Sequence, residues 1–451
     1  MSTQTAVFGT LLVLLSTTAG GTVVGGAQSD VVELNSCQVI SESGTYHLTQ
    51  NISNEGRDAC LRITASDVTV DGNGFTIDGP AQGPAILVTG TETLSDVSLS
   101  NLAVQRRSGG VQLKGVSGGT VENLDLRDGD VSGALLLENS TDITVADTDI
   151  SRSLYGIVLR NADGNTLVGN DFGTSYTAQE TLIIDDSSRN VVQNNRFVEG
   201  TVDIRPDAPD NTFVGNEFMT TDETYESTAL LVRSSDNVIR DNTLKNVQTG
   251  IAVSGENNLV HGNHVIGATD FAIDVNAGGQ RIENNTLVGN GEGIQMAGGG
   301  IQLETGDHIV VGNKLADNVH GIQLRTVTGG VTIERNRIAG NNIGIEIHNT
   351  ALCGAGGEGA ELVSVHQNDI VENHAFGIAN HDDDFVDAMG NYWGASDGAS
   401  SPEDASDTLT DPVSEEKADG YGDAVTGRTV SNTSSVHFDG WLESPVFNAT
   451  A

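Results

Sequence analysis

Positive charge is what this chain lacks most. Of 451 residues only 21 are Lys or Arg, against 62 Asp or Glu, for a net charge of −41. Lysine occurs only at Lys114, Lys245, Lys314 and Lys417. Such a surface repels phosphate backbones, which excludes nucleic-acid binding. Long apolar runs are also missing. The best candidate, residues 6–15, is about half the roughly 20 residues that a membrane span needs, so no transmembrane segment is expected. Cysteine is scarce at three, with no CxxC spacing of the zinc-binding kind. Proline, at seven, leaves short regular strands uninterrupted, while 56 glycines supply tight turns.

What the scarcities leave is an acidic, export-type chain. The run 6–15 followed by small residues to Ala27 reads as a signal peptide over 1–27, although no Lys or Arg precedes it. Secretion or cell-surface association follows as the expectation. In that setting Cys37 and Cys60 are expected to pair. The bridge would close a loop of 60 − 37 = 23 residues, worth about 3 kcal/mol in the chain-entropy model; free thiols are the alternative. Cys353 is left over in a glycine-rich insert. Self-repulsion at −41 is tolerable where salt screens it, with a Debye length of about 3 Å at 1 M. Adaptation to high salt is the reading, and an ordinary acidic secreted protein is the alternative.

Asparagine then sets the architecture. Asn170, Asn195, Asn216, Asn242, Asn263, Asn285, Asn313, Asn336, Asn368 and Asn391 recur at intervals of 25, 21, 26, 21, 22, 28, 23, 32 and 23. A second polar residue stands five positions earlier: Asn165, Asn190, Asn211, Asn237, Asn258, then Gln280 and His308. A period of 20–30 residues signals stacked repeats. Within each repeat, short in-out alternations such as Gly250–Val253 and Gly344–Ile347 argue strands, with Gly250 turning the chain. Three strands per coil, joined by right-handed crossovers, predict an all-β, right-handed parallel β-helix of roughly a dozen coils. The asparagines are expected to hydrogen-bond up and down the stack at corners. Phe172, Phe197 and Phe218 are expected to stack inside. The predicted organisation is a signal over 1–27, an N-terminal cap over 28–62, the β-helix over 63–394, and an acidic segment with a cap strand over 395–451, in a monomer.

The opening run Asp67-Val-Thr-Val-Asp-Gly-Asn-Gly and the closing Gly390-Asn-Tyr-Trp-Gly394 with Phe438-Asp-Gly-Trp-Leu442 resemble secreted archaeal and bacterial β-helix repeat proteins. These are grouped with NosD-type periplasmic proteins and with carbohydrate-binding proteins and sugar hydrolases. The resemblance spans about residues 37–447. It implies the fold, and it leaves open polysaccharide lyases, glycosidases, epimerases, copper-site maturation proteins and non-catalytic surface proteins. The polygalacturonase-like series is absent: Asp185-Asp186 and His320-Gly321 are too many coils apart, and no Arg-Ile-Lys occurs.

Site candidates come from aligning the coils. The residue after each strand forms a column: Arg160, Asp185, Arg205, Arg233, Ser254, Asn276, Glu304 (or Ala297), Arg325, His348, Asn380. Four arginines in so acidic a chain point to an anionic ligand, because Arg clamps carboxylate or sulfate bidentately. The long loops 173–181 and 219–229 would wall a cleft over Asp203 and Arg205, with Tyr176 and Tyr225 as sugar platforms. The expected partner is an extracellular, acidic polysaccharide. Asp185, Asp203, Arg205 and Arg233 are the candidate catalytic residues, and Arg160, Tyr176, Tyr225 and Arg325 the substrate-binding ones. Paired Asp could hold Ca²⁺; no cofactor is demanded. Exposed salt bridges are the plain alternative. A second cluster, Glu304, Arg325, Glu346 and His348, with His366, His374 and His381 beyond, offers imidazoles of the kind copper takes. Sequons stand at Asn51, Asn139, Asn284, Asn432 and Asn448.

Overall fold

A computed structural model describes residues 31–447 apart from 54–55, 57–58, 79–82, 106–109, 129–132, 174–179, 222–227, 292–297, 349–362, 383, 404–406 and 428–432. The signal segment, Tyr176, Tyr225, Ala297 and Cys353 lie outside the described residues, as does most of the two loops expected to wall the cleft. Every strand pairing is parallel, and no helix occurs among the described residues. The chain is a right-handed parallel β-helix of about 13 turns.

Three strands make a coil. One coil runs Thr201–Ile204, Thr212–Val214 and Glu217–Met219, and the next runs Thr228–Val232, Val238–Arg240 and Thr243–Lys245, each strand pairing with its counterpart. Three stacks result. The first stack carries an inner row, Ile157, Leu182, Val202, Leu230, Ile251, Ile273, Ile301, Ile322, Ile345 and Ile378, all buried. In the third stack Phe172, Phe197 and Phe218 lie face to face at 4.5 and 4.8 Å between centroids, as expected.

Corners are where the backbone loses its strand partners, and buried amides there must be satisfied. Between the second and third stacks the long asparagine series does this. Asn216 Nδ2 donates to Asn242 Oδ1 at 2.9 Å, Asn242 Nδ2 to Asn263 Oδ1 at 3.0 Å, and each backbone N–H donates to the same acceptor. The residue before each ladder asparagine is left-handed: Asn194, Gly215, Asp241, Gly262, Asn284 and Gly312 have φ between 54 and 68°. Gly, Asn and Asp predominate at that position, with Arg335 and Gln367 as left-handed exceptions at φ 52 and 56°. It also turns Asn284 outward, so this sequon is exposed although its neighbour Asn285 is buried. Between the first and second stacks the shorter series runs from Asn165 to Gln280 and ends on His308, whose Nδ1 accepts from Gln280 N–H at 3.3 Å.

A third ladder was not read from the sequence. Asn290, Asn318, Asn341 and Asn373 close the corner between the third and first stacks, with Nδ2 to Oδ1 distances of 2.8–3.0 Å. It ends on Asp423, which accepts from Asn373 N–H at 3.0 Å and Nδ2 at 2.6 Å. Gly250 also differs from expectation. It lies within strand Thr249–Val253 rather than at a turn, and a Cβ there would stand 2.3 Å from the Ala272 carbonyl. Coil-to-coil approach, not turning, selects glycine at that place.

Parallel pairing already begins at Val32–Leu34 with Gly44–Leu48, and the Cys37–Cys60 disulfide forms between coils. At the far end Val425–Gly427 and Val436–His437 extend the first and second stacks, with Trp393 buried beneath.

Two outcomes are expected. Asn242→Ala removes an acceptor that serves two donors, at about 1–3 kcal/mol per unsatisfied group, so it should lower the denaturant midpoint clearly, whereas exposed Glu256→Ala should leave it unchanged. Asp423 titrates high, about 6, because burial pushes the carboxyl up against the opposing Asn373 hydrogen bonds. A raised carboxyl stabilises the fold while protonated and loses that contribution as pH rises through 6. Asp423→Asn should therefore raise the unfolding temperature at pH 7.5 and change it little at pH 3, below the ordinary carboxyl pKa.

Candidate functional site

The outward surface of the first stack gathers the polar side chains. Register places Arg160 beside Asp185, and each following column residue donates its N–H to the coil before: Arg205 to Ile184, Arg233 to Ile204, Ser254 to Val232, Asn276 to Val253, Glu304 to Val275. Glu304 is thus the column member in its coil, and Arg325 pairs with His348. Asn380 is not in the column. It pairs with Ile347 and is buried, while His381 takes the outward place and stacks on His348 at 4.3 Å. One extra residue between Asn373 and Phe376 moves the coil offset from 32 to 33, and one residue flips a strand side chain to the other face.

The four candidate catalytic residues do come together. Arg205 lies 3.4 Å from both Asp185 and Asp203, Arg233 lies 3.4 Å from Asp203, and Arg160 lies 3.8 Å from both Glu138 and Asp185. Asp203 is outward in register yet only 1% exposed. Burial pushes its carboxyl up, and Arg233 and Arg205 pull it down without cancelling that. Its Oδ1 has no hydrogen bond. Strand spacing puts the Cα atoms of Asp185 and Asp203 roughly 8 Å apart on the diagonal of neighbouring coils. Ca²⁺ does not fit this pair as it sits, because the Arg205 guanidinium stands between the carboxylates.

Asp203 belongs to a second column, the middle residue of each strand, which sequence reading passed over. By register it runs Ile183, Asp203, Leu231, Ala252, Asp274, Gln302, Gln323, Glu346, Ala379. The polar or acidic middle residue of each in-out-in triplet was the available signal. Asp274 accepts from Gln302 Nε2 at 2.9 Å; burial pushes its carboxyl up, and the Gln302 and Asn276 hydrogen bonds oppose this. Arg325 faces Asp270 and Asp274 electrostatically rather than Glu346. Glu346 accepts from Gln323 Nε2 at 2.7 Å and meets His320, His348 and His381 at 3.2, 3.0 and 3.3 Å. Burial pushes the Glu346 carboxyl up, but Gln323 and the neighbouring imidazoles outweigh it and hold it below its usual value. His366 lies elsewhere, 2.8 Å from Asp387, and His374 is held by its backbone to Asn341; neither joins the cluster.

Two family models match the sequence. Residues 20–230 match the periplasmic copper-binding protein NosD, and residues 228–392 match the right-handed beta helix region. With the strand register, they make this chain a right-handed β-helix repeat protein. Among solved structures it is similar to a DFA-IIIase from Arthrobacter chlorophenolicus A6 without its lid, at 16% identity and TM-score 0.42, over 66% of this chain and 83% of that one. It is also similar to the A-module of the Azotobacter vinelandii mannuronan C-5 epimerase AlgE6, at 19% identity and TM-score 0.41, over 68% of this chain and 87% of that one. No curated protein matches the chain.

Removing one partner of a buried carboxylate leaves an uncompensated charge. Arg205→Met should cost about 1–3 kcal/mol at pH 7.5, relative to the parent. The difference should shrink as pH falls below the ordinary carboxylate range, because a protonated Asp203 needs no cationic partner; unfolding curves at pH 7.5 and pH 3 read it.

Proposed function

We propose that the outward face of the first stack binds and processes an extracellular, acidic polysaccharide, as a lyase or hydrolase. One observation carries the reading. Most arginine ion pairs elsewhere are tight, with Arg189–Asp163 and Arg196–Asp171 at 3.0 Å and Arg240–Asp241 at 2.8 Å; Arg152–Asp128 at 3.3 Å and Arg337–Asp369 at 3.9 Å are isolated exceptions. Arg160, Arg205 and Arg233 are held at 3.4–3.8 Å, beyond the roughly 2.7–2.9 Å of a full charge-assisted hydrogen bond. Three guanidiniums on three nearby coils therefore keep donors in reserve on one open face, with side chains 49, 32 and 43% exposed. A uronate or sulfate can compete for them. When it draws Arg233 or Arg205 away, Asp203 gains a still higher pKa and becomes a proton carrier beside the bound sugar. Asp185 then serves as the second carboxylate, on the neighbouring coil.

The test is a panel of uronate-rich and sulfated polysaccharides against neutral glucans, in molar salt, reading binding, unsaturated-uronate absorbance and reducing ends. Preferential binding of an acidic polymer is expected, weakened at least ~10-fold (about 1.4 kcal/mol) in Arg205→Ala/Arg233→Ala. Asp203→Asn should keep binding and lose turnover. Equal binding of neutral and acidic polymers, or by the double variant, overturns the reading. Binding with no product, from parent and Asp203→Asn alike, assigns the face to adhesion.

A further inference from the structure

We infer that Glu346, His348 and His381 bind a first-row divalent metal ion of the Zn²⁺ type, with His320 at the edge of the site. Glu346 and His348 stand two residues apart on Ile343–His348, so both project from one face. His381 arrives from the next coil, where its N–H donates to the Ile347 carbonyl at 3.0 Å. The coil spacing stacks its ring on that of His348, with centroids 4.3 Å apart and 8° between planes.

From there both Nε2 atoms converge on Glu346 Oε1, at 3.0 and 3.3 Å. One ligand atom from each of the three residues lies within 4.8 Å of the others. Around a tetrahedral ion with bonds near 2.1 Å, donor atoms stand roughly 3.4 Å apart, so the two His–Glu spacings match, and a tilt of the stacked rings would bring both lone pairs onto the ion. Two stacked imidazolium ions would repel each other. A metal ion takes the lone pairs of both rings without that repulsion.

Supporting groups complete the case. Gln323 Nε2 holds Glu346 Oε2 at 2.7 Å and so presents Oε1. His320 Nδ1–H donates to the Gly298 carbonyl at 3.1 Å, and in the imidazolium form its Nε2–H donates to Glu346 Oε2 at 3.2 Å. Outer partners of this kind fix ligand orientation in metal sites. His348 and His381 side chains remain 36 and 46% exposed, which leaves a coordination position for water or a ligand. Two imidazoles and a carboxylate suit Zn²⁺, Co²⁺ or Cu²⁺; Cu⁺, which prefers thiolate and thioether, is disfavoured. The cluster lies outside residues 20–230, the part that matches the copper-binding family. The inference therefore rests on these side chains alone, and it is independent of the polysaccharide reading.

The experiment uses chelator-stripped protein in molar salt with excess Mg²⁺, which occupies the acidic surface. Zn²⁺ is titrated calorimetrically, and Co²⁺ is followed by its d–d absorption. One equivalent should bind, with Co²⁺ bands of a four- or five-coordinate site and a Zn²⁺-dependent rise in unfolding temperature. His348→Ala/His381→Ala and Glu346→Gln should each weaken Zn²⁺ at least ~30-fold, and exposed His264→Ala should not. Metal-free unfolding temperatures report whether the variants fold, and Glu346→Gln, near-isosteric, keeps the test open if the double variant does not. Parent affinity no greater than that of the folded variants, or an equal loss in His264→Ala, overturns the site.

Discussion

A coil that turns three corners every 20–30 residues strands its backbone amides at each bend, inside a rod where no water reaches them. Everything else in this chain depends on how those amides are satisfied. Asparagine does it because one side chain accepts from the coil before and donates back to a carbonyl of that stack, as Asn263 does with Asn242 and with Ile239. The bond forms only when successive coils hold the same register. The ladder therefore locks the alignment of every other column, inside and out. Residues 21–32 positions apart become nearest neighbours, and the surface is read coil by coil rather than along the sequence.

That rule explains how so acidic a chain stacks at all. Like charges in one column would sit about 4.8 Å apart. Many of the few basic residues are placed against acids of adjacent coils, although Asp125, Asp149 and Asp171 stand in register on three successive coils. Lys114, Glu138, Arg160, Asp185 and Arg205 alternate in sign up the first stack, and Lys245 meets Glu217 in the third. The arginine enrichment visible in the sequence is thus partly a stacking requirement. What marks the stretch from Arg160 to Arg233 is that loose pairs gather on nearby coils there, which composition does not reveal.

Two ladders, the phenylalanine stack and the disulfide were legible because each recurs or pairs at a spacing the sequence displays. The third ladder escaped because it starts only at Asn290; in earlier coils the same corner carries Thr220, Val247 or Ala268, and the long segments after Phe172 and Met219 leave from it. The misplaced Asn380 has a related cause. The corner after Asn373 holds one residue more than the corner after Asn341, and backbone pairing shows that His381 follows His348. The middle column was missed for a different reason. A charged residue at the centre of a strand looks like an ordinary solvent-facing one, and its burial depends on neighbours a coil away.

That middle column is where the two functional readings part. Asp203, Asp274 and Glu346 occupy equivalent positions, and each is a carboxylate that points outward and is yet largely covered. The solutions differ. Asp203 has two guanidiniums at long range, Asp274 has side-chain amides, and both carboxyls are pushed up by burial. Glu346 has an amide and three imidazoles, and its carboxyl is held down. A carboxyl pushed up is suited to carrying a proton, and one held down to remaining an anion. Imidazoles, unlike guanidiniums, can surrender their protons near neutral pH and turn lone pairs to a cation. On the two proposed readings the same strand position would supply a proton-handling group near one end of the face and an anionic ligand near the other, and the difference lies in which side chains the neighbouring coils bring into register.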